Sequence, residues 1–226
     1  MECLTATVEM PVLLRALPDD DARRLLKASR VNTYERRETL VNEGDDSDSF
    51  HIVLDGHVAV RLTKPSGDTA IVNILGPDSH FGEVSLLNRH ADKRTATVVA
   101  LEAVRTLSIP ADVFHELRDR NPRMEQLVTQ ILVQRVDELS ALLVEAMYDS
   151  LETRVVRRVV RLAATYKPRS GVITIPLTQD ELAELVGGTR PSVNQVLRRL
   201  VDQGQLEVGR GRIVVTDLDA LRQQVS

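Results

Sequence analysis

Apolar residues recur along the chain with two different periods, and this difference divides the sequence into two parts. Between residues 31 and 110, apolar and polar positions alternate with a period of two, and turns rich in glycine, aspartate and proline separate the runs. The predicted strands are Val31–Tyr34, Thr39–Asn42, Phe50–Leu54, His57–Thr63, Thr69–Leu75, Thr95–Leu101 and Ala103–Ile109. Many short strands with no long helix between them predict an antiparallel β-roll resembling a jelly-roll, within an α+β chain.

Helical spacing dominates the remaining residues. The predicted helices are Pro11–Ala16, Asp19–Ser29, Ala111–Leu117, Arg123–Tyr148, Ser150–Tyr166 and Leu218–Gln224. At about 1.5 Å per residue the helix at Arg123–Tyr148 is roughly 39 Å long, which is more than one small domain needs. Its apolar residues recur in steps of three and four, which is typical of a coiled-coil seam. The predicted seam is Leu132, Val136, Leu139, Leu143 and Ala146. We therefore expect a parallel homodimer; the alternative is a helix packed only on its own barrel.

Residues 177–200, LTQDELAELVGGTRPSVNQVLRRL, predict two short helices joined by a tight turn. Thr178 is a good N-cap and Glu181 completes a capping box. Gly187 and the glycine after it end the first helix, and Thr189 begins the second. The second helix directs arginine, asparagine and glutamine outwards, the side chains that contact guanine and adenine edges in a major groove. This pattern favours a DNA-binding helix-turn-helix over an ordinary helical hairpin with solvated arginines.

A β-hairpin is predicted directly after this helix pair. Its strands are Leu206–Val208 and Arg212–Val215, and the turn between them places Arg210 at the tip, where it suits phosphate contact. A strand at Val172–Ile175 precedes the helix pair. The predicted DNA-contacting residues are Thr178, Thr189, Arg190, Pro191, Ser192, Asn194, Gln195, Arg198, Arg199 and Arg210. The chain therefore predicts a winged helix-turn-helix that binds double-stranded DNA.

Charge is distributed in a way that agrees with this assignment. The whole chain carries 29 Lys and Arg against 33 Asp and Glu, a net charge of −4. Residues 150–226 hold 12 basic against 8 acidic side chains, a net charge of +4, so the basic excess lies with the helix-turn-helix. Cys3 is the single cysteine, which excludes an internal disulfide or a zinc knuckle. Without a secretory signal or an apolar run near 18 residues, we expect a cytoplasmic protein with no membrane contact.

One segment interrupts the strand pattern and has the composition of an anion site. Phe81–Leu87 contains a glycine followed by a single predicted helical turn, and such a turn exposes unpaired backbone N–H groups. Gly82, Glu83, Val84 and Ser85 form this cradle, Arg94 supplies a cation, and Glu83 can accept hydrogen bonds from hydroxyl groups. A phosphate, hydroxyls and an apolar barrel wall together describe a nucleotide site; the alternative is a surface Glu–Arg pair.

The order of barrel, glycine–glutamate turn, long helix and winged helix resembles the CRP/FNR family of bacterial transcription regulators. The resemblance implies a nucleotide-binding β-roll at residues 1–120, a dimerisation helix at 121–148 and a DNA-binding domain at 149–226. It also implies that such a dimer binds a pseudo-palindromic operator and works with RNA polymerase. Half-sites in such an operator lie about one turn, near 34 Å, apart.

The same resemblance assigns roles to individual residues. Gly82 and Glu83 match the family's phosphate-binding pair, with the glutamate on a ribose hydroxyl, and Arg94 with Thr95 matches the pair that grips a cyclic phosphate. On the long helix, one arginine matches the family's arginine at this position, and two further residues occupy the positions that contact an adenine in the family. These helix residues are Arg135, Leu139 and Ser140. Cyclic AMP is therefore the expected effector, and no cofactor is required.

Two alternatives stay open. A leucine at position 139 cannot hydrogen-bond an adenine amino group, so a cyclic dinucleotide, another small effector or no ligand would also fit. A more remote alternative is a cupin-like metalloenzyme barrel, which needs clustered histidines and a carboxylate. The spacings of His51 from His57 and of His80 from His90 do not supply that cluster, and no nucleophile–base pair indicates an enzyme. We expect neither a metal site nor catalysis.

Overall fold

The structure, a computed structural model, describes residues 10–63, 67, 69–87, 93–166 and 172–225. The sequence also predicts turns at 65–68 and 167–171 and a polar segment at 88–93. Apart from residues 67 and 93, these positions lie outside the described residues.

Within the described residues, eight strands form the N-terminal barrel. They are β1 (Arg30–Tyr34), β2 (Thr39–Val41), β3 (Ser49–Asp55), β4 (Val58–Thr63), β5 (Thr69–Leu75), β6 (His80–Phe81), β7 (Thr97–Ala100) and β8 (Val104–Pro110). One antiparallel sheet has the order β1-β8-β3-β6 and the other β2-β7-β4-β5. The inward residues of the two sheets, such as Val53, Val58, Phe81 and Val98, make a small aliphatic core between them. This confirms the predicted antiparallel jelly-roll; the sequence pattern misses only the two-residue strand β6.

Helices cover one end of the barrel. A 3-10 helix at Val12–Ala16 is followed by α1 (Asp19–Ala28), a short α2 (Val84–Leu87) and α3 (Ala111–Arg118). The long helix α4 (Pro122–Tyr148) is preceded by Asn121, whose side chain caps it. Its first turns pack into the same core as α1 and α3. Met124, Leu127 and Ile131 in the first part of α4 are buried, whereas most apolar side chains in its second half are exposed. The second half of α4 therefore extends away from the barrel.

The chain turns sharply between α4 and the next helix, α5 (Leu151–Thr165), which Ser150 caps. A buried carboxylate joins the two helices at this turn. Glu145 on α4 forms ion pairs with Arg157 and Arg161 on α5, and Arg157 also lies 2.7 Å from Asp149. These pairs hold α5 against the end of the long helix.

The C-terminal part is a winged helix. It contains β9 (Ile173–Ile175), α6 (Gln179–Val186), α7 (Arg190–Asp202), β10 (Leu206–Gly209), β11 (Arg212–Val215) and α8 (Leu218–Gln223), with a sheet in the order β10-β11-β9. The predicted capping box between Thr178 and Glu181 is present, and Gly187 has a left-handed φ of +63° at the end of α6. The predicted helix-turn-helix and wing are therefore confirmed.

The winged helix packs against the side of the barrel. Ala59, Ile71 and Leu101 of the barrel belong to the same buried cluster as the core of the winged helix. The ring of His57 stacks on that of Tyr166 with centroids 3.6 Å apart. No helix within the described ranges is both long enough and apolar enough to cross a bilayer.

Candidate functional site

A cavity of about 570 Å³ opens between the barrel wall and the long helix. Its floor is aliphatic, with Val60, Val72 and Val98 from the sheet, and its rim carries the charged residues of the glycine–glutamate segment and of α4. A site of this size, apolar with a few convergent polar groups, is typical of small-ligand binding.

Gly82 and Arg94 meet at one end of this cavity because the glycine has no side chain. Gly82 has a φ of +84°, and a Cβ there would lie 2.6 Å from Arg94 Nη1. Arg94 is only 6% exposed, yet it lines the cavity and is anchored on its far side by Ser49. Its Nη1 donates to the Ser49 carbonyl oxygen and its Nη2 to the Ser49 hydroxyl, both at 2.8 Å. Arg94 Nη2 also makes a long 3.5 Å contact with the exposed carboxylate of Asp48, and the remaining N–H groups of the planar guanidinium can serve a ligand anion.

A buried histidine supports this anchor. The Ser49 hydroxyl lies 3.1 Å from His51 Nε2, and the His51 ring stacks on Phe81 at 4.7 Å. Burial, and secondly the positive charge of Arg94, lower the pKa of His51 to about 4. A neutral imidazole therefore stands behind the guanidinium and adds no charge that would repel it.

Acidic and basic groups also meet where Glu83 faces helix α4. Arg135 on α4 lies 4.0 Å from Glu83 and 3.3 Å from Glu138. His80 also lines the cavity; burial lowers its pKa, and the carboxylates of Glu83 and Glu138 oppose that shift. Since carboxylates accept and the guanidinium donates, this rim can bind ligand hydroxyls and amino groups.

The structure brings most of the predicted ligand residues to the cavity, but not all. Gly82, Glu83, Val84, Arg94, Thr95 and Arg135 line it. Ser85 does not, because its hydroxyl is buried and donates to the Gly82 carbonyl oxygen at 2.7 Å. Leu139 and Ser140 are exposed on α4 beyond the part of the helix that faces the cavity. Within a single chain, the long helix contributes Gln134, Arg135 and Glu138 instead.

Sequence reasoning missed Ser49 and His51, which shape the site from behind. They precede Arg94 by about 45 residues. The two stretches meet because the segment just before β3 pairs with the segment leading into β7: Asp46 bridges to Lys93, and the Arg94 backbone N–H donates to the Asp45 carbonyl oxygen. Gln134 and Glu138 can be predicted from the sequence, since both lie one helical turn or less from Arg135 on the same helix.

The second helix of the helix-turn-helix presents a polar outer face. Thr189, Arg190, Pro191, Gln195, Arg198 and Arg199 are exposed, and Arg210 is exposed at the tip of the wing. Thr178 is only half-buried, but its hydroxyl is committed to the capping box with Glu181. Ser192 is half-buried beside Thr189, with their hydroxyl oxygens 2.9 Å apart.

Three of the predicted DNA-contacting residues are not fully free in the structure. The outward orientation predicted for Asn194 is wrong for its side-chain oxygen, which is fully buried because position 194 borders the apolar stripe of α7. Arg190 Nε lies 3.3 Å from Asp180 Oδ1 on α6, and Arg199 lies 3.0 Å from Glu152 on α5. These ion pairs engage only Nε of Arg190 and Nη2 of Arg199, and both side chains remain more than half exposed.

An exposed apolar face runs along the second half of α4. Val136, Leu139, Leu143 and Ala146 of the predicted seam lie on it, with Leu143 60% exposed. Leu132 is an exception, because it packs against the barrel core. Further exposed apolar residues beside this face are Val133, Val144 and Met147, while Tyr148 is exposed on another side of the helix.

The cupin-like alternative would need a cluster of metal ligands in the barrel. Among the residues that the structure describes, no three His, Cys, Asp or Glu side chains are grouped closely enough to hold a metal ion.

A barrel with a ligand-sized cavity, joined by a long helix to a winged helix-turn-helix, defines the class of transcription regulators that carry their own sensory domain. Residues 31–121 match the Cyclic nucleotide-binding domain family, and residues 153–224 match the Crp-like helix-turn-helix domain family. The chain belongs to the CRP/FNR family of transcription regulators.

Individual relatives are similar to this chain over most of its length. The CRP-like cAMP-activated global transcriptional regulator of Mycobacterium tuberculosis is 25% identical over 200 residues, which is 87% of this chain and 88% of that protein. The structure of FixK2 from Bradyrhizobium japonicum superposes with a TM-score of 0.75 at 14% identity, covering 88% of this chain and 98% of that one. The c-di-GMP responsive regulator CLP of Xanthomonas campestris gives 0.71 at 19% identity, covering 88% and 99%.

Proposed function

We propose that the chain is a homodimeric transcription regulator whose affinity for DNA is set by a nucleotide bound in the barrel cavity. It acts by binding and not by catalysis, in the cytoplasm, on a pseudo-palindromic operator and together with RNA polymerase. The residues committed to the nucleotide are Gly82, Glu83, Val84, Arg94, Thr95 and Arg135.

The burial and the contacts of Arg94 are the main support for this proposal. A buried guanidinium is costly unless its donors are used, and Ser49 uses only two of the five. Arg94 and Glu83 line the same cavity, so a ligand with an anionic group and neighbouring hydroxyls matches both side chains. A cyclic nucleotide has these groups, and cyclic AMP is the effector named for the mycobacterial relative.

A cyclic dinucleotide is the second candidate. Leu139 gives no hydrogen bond to an adenine, and one structural neighbour is described as responsive to c-di-GMP. Both ligands would use the same phosphate contact at Arg94, so the base-contacting part of the cavity has to distinguish them.

The dimer is proposed from the apolar face of α4. Side chains such as Leu143 and Met147, more than half exposed in the single chain, would be covered by the same face of a second copy. Ser140 lies in the middle of that face and would then approach the partner's cavity. A ligand that contacts both the barrel and α4 would favour one arrangement of the helix pair, and so fix the distance between the two recognition helices.

Calorimetry of the full chain with cyclic AMP, cyclic GMP and cyclic di-GMP tests the effector. We expect one of them to bind, and Arg94→Leu to abolish that binding while the circular dichroism spectrum stays unchanged. Arg105→Leu, an exposed arginine on β8 outside the cavity, is the matched control and should bind normally. Failure of all three nucleotides to bind, or equal binding by Arg94→Leu, would contradict the proposal.

A further inference from the structure

A second, smaller cleft of about 300 Å³ lies where the barrel meets helix α6 of the winged helix. It is separate from the nucleotide cavity, with which it shares no lining residue. Three arginines line it, Arg36 and Arg37 from the turn between β1 and β2 and Arg61 from β4, together with the single carboxylate of Glu181. The cleft therefore holds an excess of positive charge.

The guanidinium groups in this cleft are incompletely satisfied. Arg61 Nη2 is 3.4 Å from Glu181 Oε1, a long ion pair, and the buried Nε of Arg61 has no hydrogen-bond partner. Arg36 makes one 3.4 Å contact with the Pro176 carbonyl oxygen. Within the described part of the chain the Arg37 side chain has no hydrogen-bond or ion-pair partner. Glu181 cannot neutralise all three, since its other oxygen accepts from the backbone and hydroxyl of Thr178.

The backbone at Arg37 is also unusual. Its φ of +71° lies in the left-handed region, where a side chain costs free energy and glycine is favoured. The backbone N–H of Arg37 donates to the Ala100 carbonyl oxygen at 2.8 Å, which fixes this conformation and leaves the side chain at the cleft. The nearby Glu38 does not line the cleft, and its carboxylate accepts from the Glu35 backbone N–H at 2.8 Å.

We propose that this cleft binds a small phosphate-class anion between the barrel and the winged helix. Arg36, Arg37 and Arg61 donate to its oxygens, and the hydroxyl of Thr39, which also lines the cleft, supplies a neutral donor. Because Arg36 already contacts Pro176 and Arg61 contacts Glu181, a bound anion ties the barrel to the DNA-binding domain. It would stabilise their docked arrangement independently of the nucleotide cavity.

The test uses the full-length Arg94→Leu variant, so that phosphate cannot report binding at the nucleotide cavity. Thermal unfolding and calorimetry are followed with inorganic phosphate and with glycerol 3-phosphate, each against sodium chloride at equal ionic strength. We expect both measurements to show binding that chloride does not reproduce. Tighter binding of the ester would identify a phosphorylated metabolite as the ligand, and tighter binding of phosphate would identify the free ion; either result supports the site.

Arg37→Gly is the diagnostic substitution. Glycine adopts the +71° φ without strain, so this variant should fold normally while its phosphate affinity falls about tenfold or more, as expected for a lost charge-assisted hydrogen bond. Arg36→Gln, at an exposed position, should weaken binding in the same way, and Arg105→Gln should not. An anion effect no larger than that of chloride, or one that survives Arg37→Gly, would overturn the proposal. So would a loss of duplex-DNA affinity in these variants without any anion binding, which would assign the arginines to the DNA backbone.

Discussion

Ser49 holds the guanidinium group of Arg94 from behind, accepting from Nη1 at its carbonyl oxygen and from Nη2 at its hydroxyl, both at 2.8 Å. The carbonyl contact survives any substitution of Ser49, but the hydroxyl contact does not. Because the hydroxyl also reaches His51, one oxygen atom links the cation of the nucleotide cavity to a neutral histidine in the barrel core.

Ser49→Ala should weaken nucleotide binding without abolishing it. Losing one of the two anchoring hydrogen bonds lets the Arg94 plane rotate, and a bond of this kind contributes about 1 kcal/mol, so the dissociation constant should rise about fivefold. Calorimetry measures the change. Ser49→Thr keeps the hydroxyl on a strand position and should restore binding; if the threonine variant binds as weakly as the alanine variant, Ser49 does not act by positioning Arg94.

Acid should destabilise the protein through His51. Its pKa of about 4 in the folded state lies below the ordinary value of 6.5, so the unfolded chain binds the proton first as the pH falls. The folded state therefore loses stability from about pH 6.5 down to about pH 4, and is unaffected by this group at higher pH. Between pH 7 and pH 5 the loss should be roughly 2 kcal/mol.

Urea unfolding of the wild type and of His51→Gln at both pH values isolates this contribution from that of the carboxylates. The wild type should lose more stability than the variant by that amount. Parallel pH profiles for the two proteins would mean that His51 titrates normally in the fold.

Leu143→Lys should convert the proposed dimer into monomers. The leucine is 60% exposed in a single chain, so a lysine there costs little in folding but places two like charges at the proposed seam. Sedimentation velocity should show a dimer for the wild type and a monomer for the variant. Ala141 is exposed on another side of α4, so the control variant Ala141→Lys should remain dimeric. If the Leu143→Lys protein were also dimeric, the dimer interface would not lie on this part of the helix.

Arg190→Ala should relax DNA specificity at one base pair in each half-site. A bidentate arginine–guanine contact contributes about 1–3 kcal/mol of discrimination, and that preference should vanish while other positions are read as before. Asp180→Asn removes the carboxylate that now holds Arg190 and should raise operator affinity. Binding to a randomised operator library measures both effects.

Arg210→Ala is the contrasting variant for this experiment. A phosphate contact at the wing tip should weaken binding to every sequence alike and lower its salt dependence. If Arg190→Ala instead produced this uniform loss, Arg190 would contact the backbone and not a base.

Local signals in the sequence determine much of this protein. The capping box at Thr178 and Glu181, the left-handed glycine at 187 and the alternation of apolar residues in the strands each act over a few residues. For that reason the order of elements, the winged helix and the glycine–arginine core of the cavity can be predicted from sequence. The exposed stripe on α4 follows the same rule, apart from Leu132, whose burial depends on the barrel beside it.

The tertiary structure alone decides which distant side chains complete each site. Ser49 and Arg94 are 45 residues apart, and Arg61 and Glu181 are 120 apart, so no local period links them. Whether an arginine is buried, anchored or left without a partner depends on the strand pairing and on the docking of the winged helix against the barrel. These long-range contacts set the geometry of both cavities, because hydrogen bonds and charges act through distance in space and not along the chain.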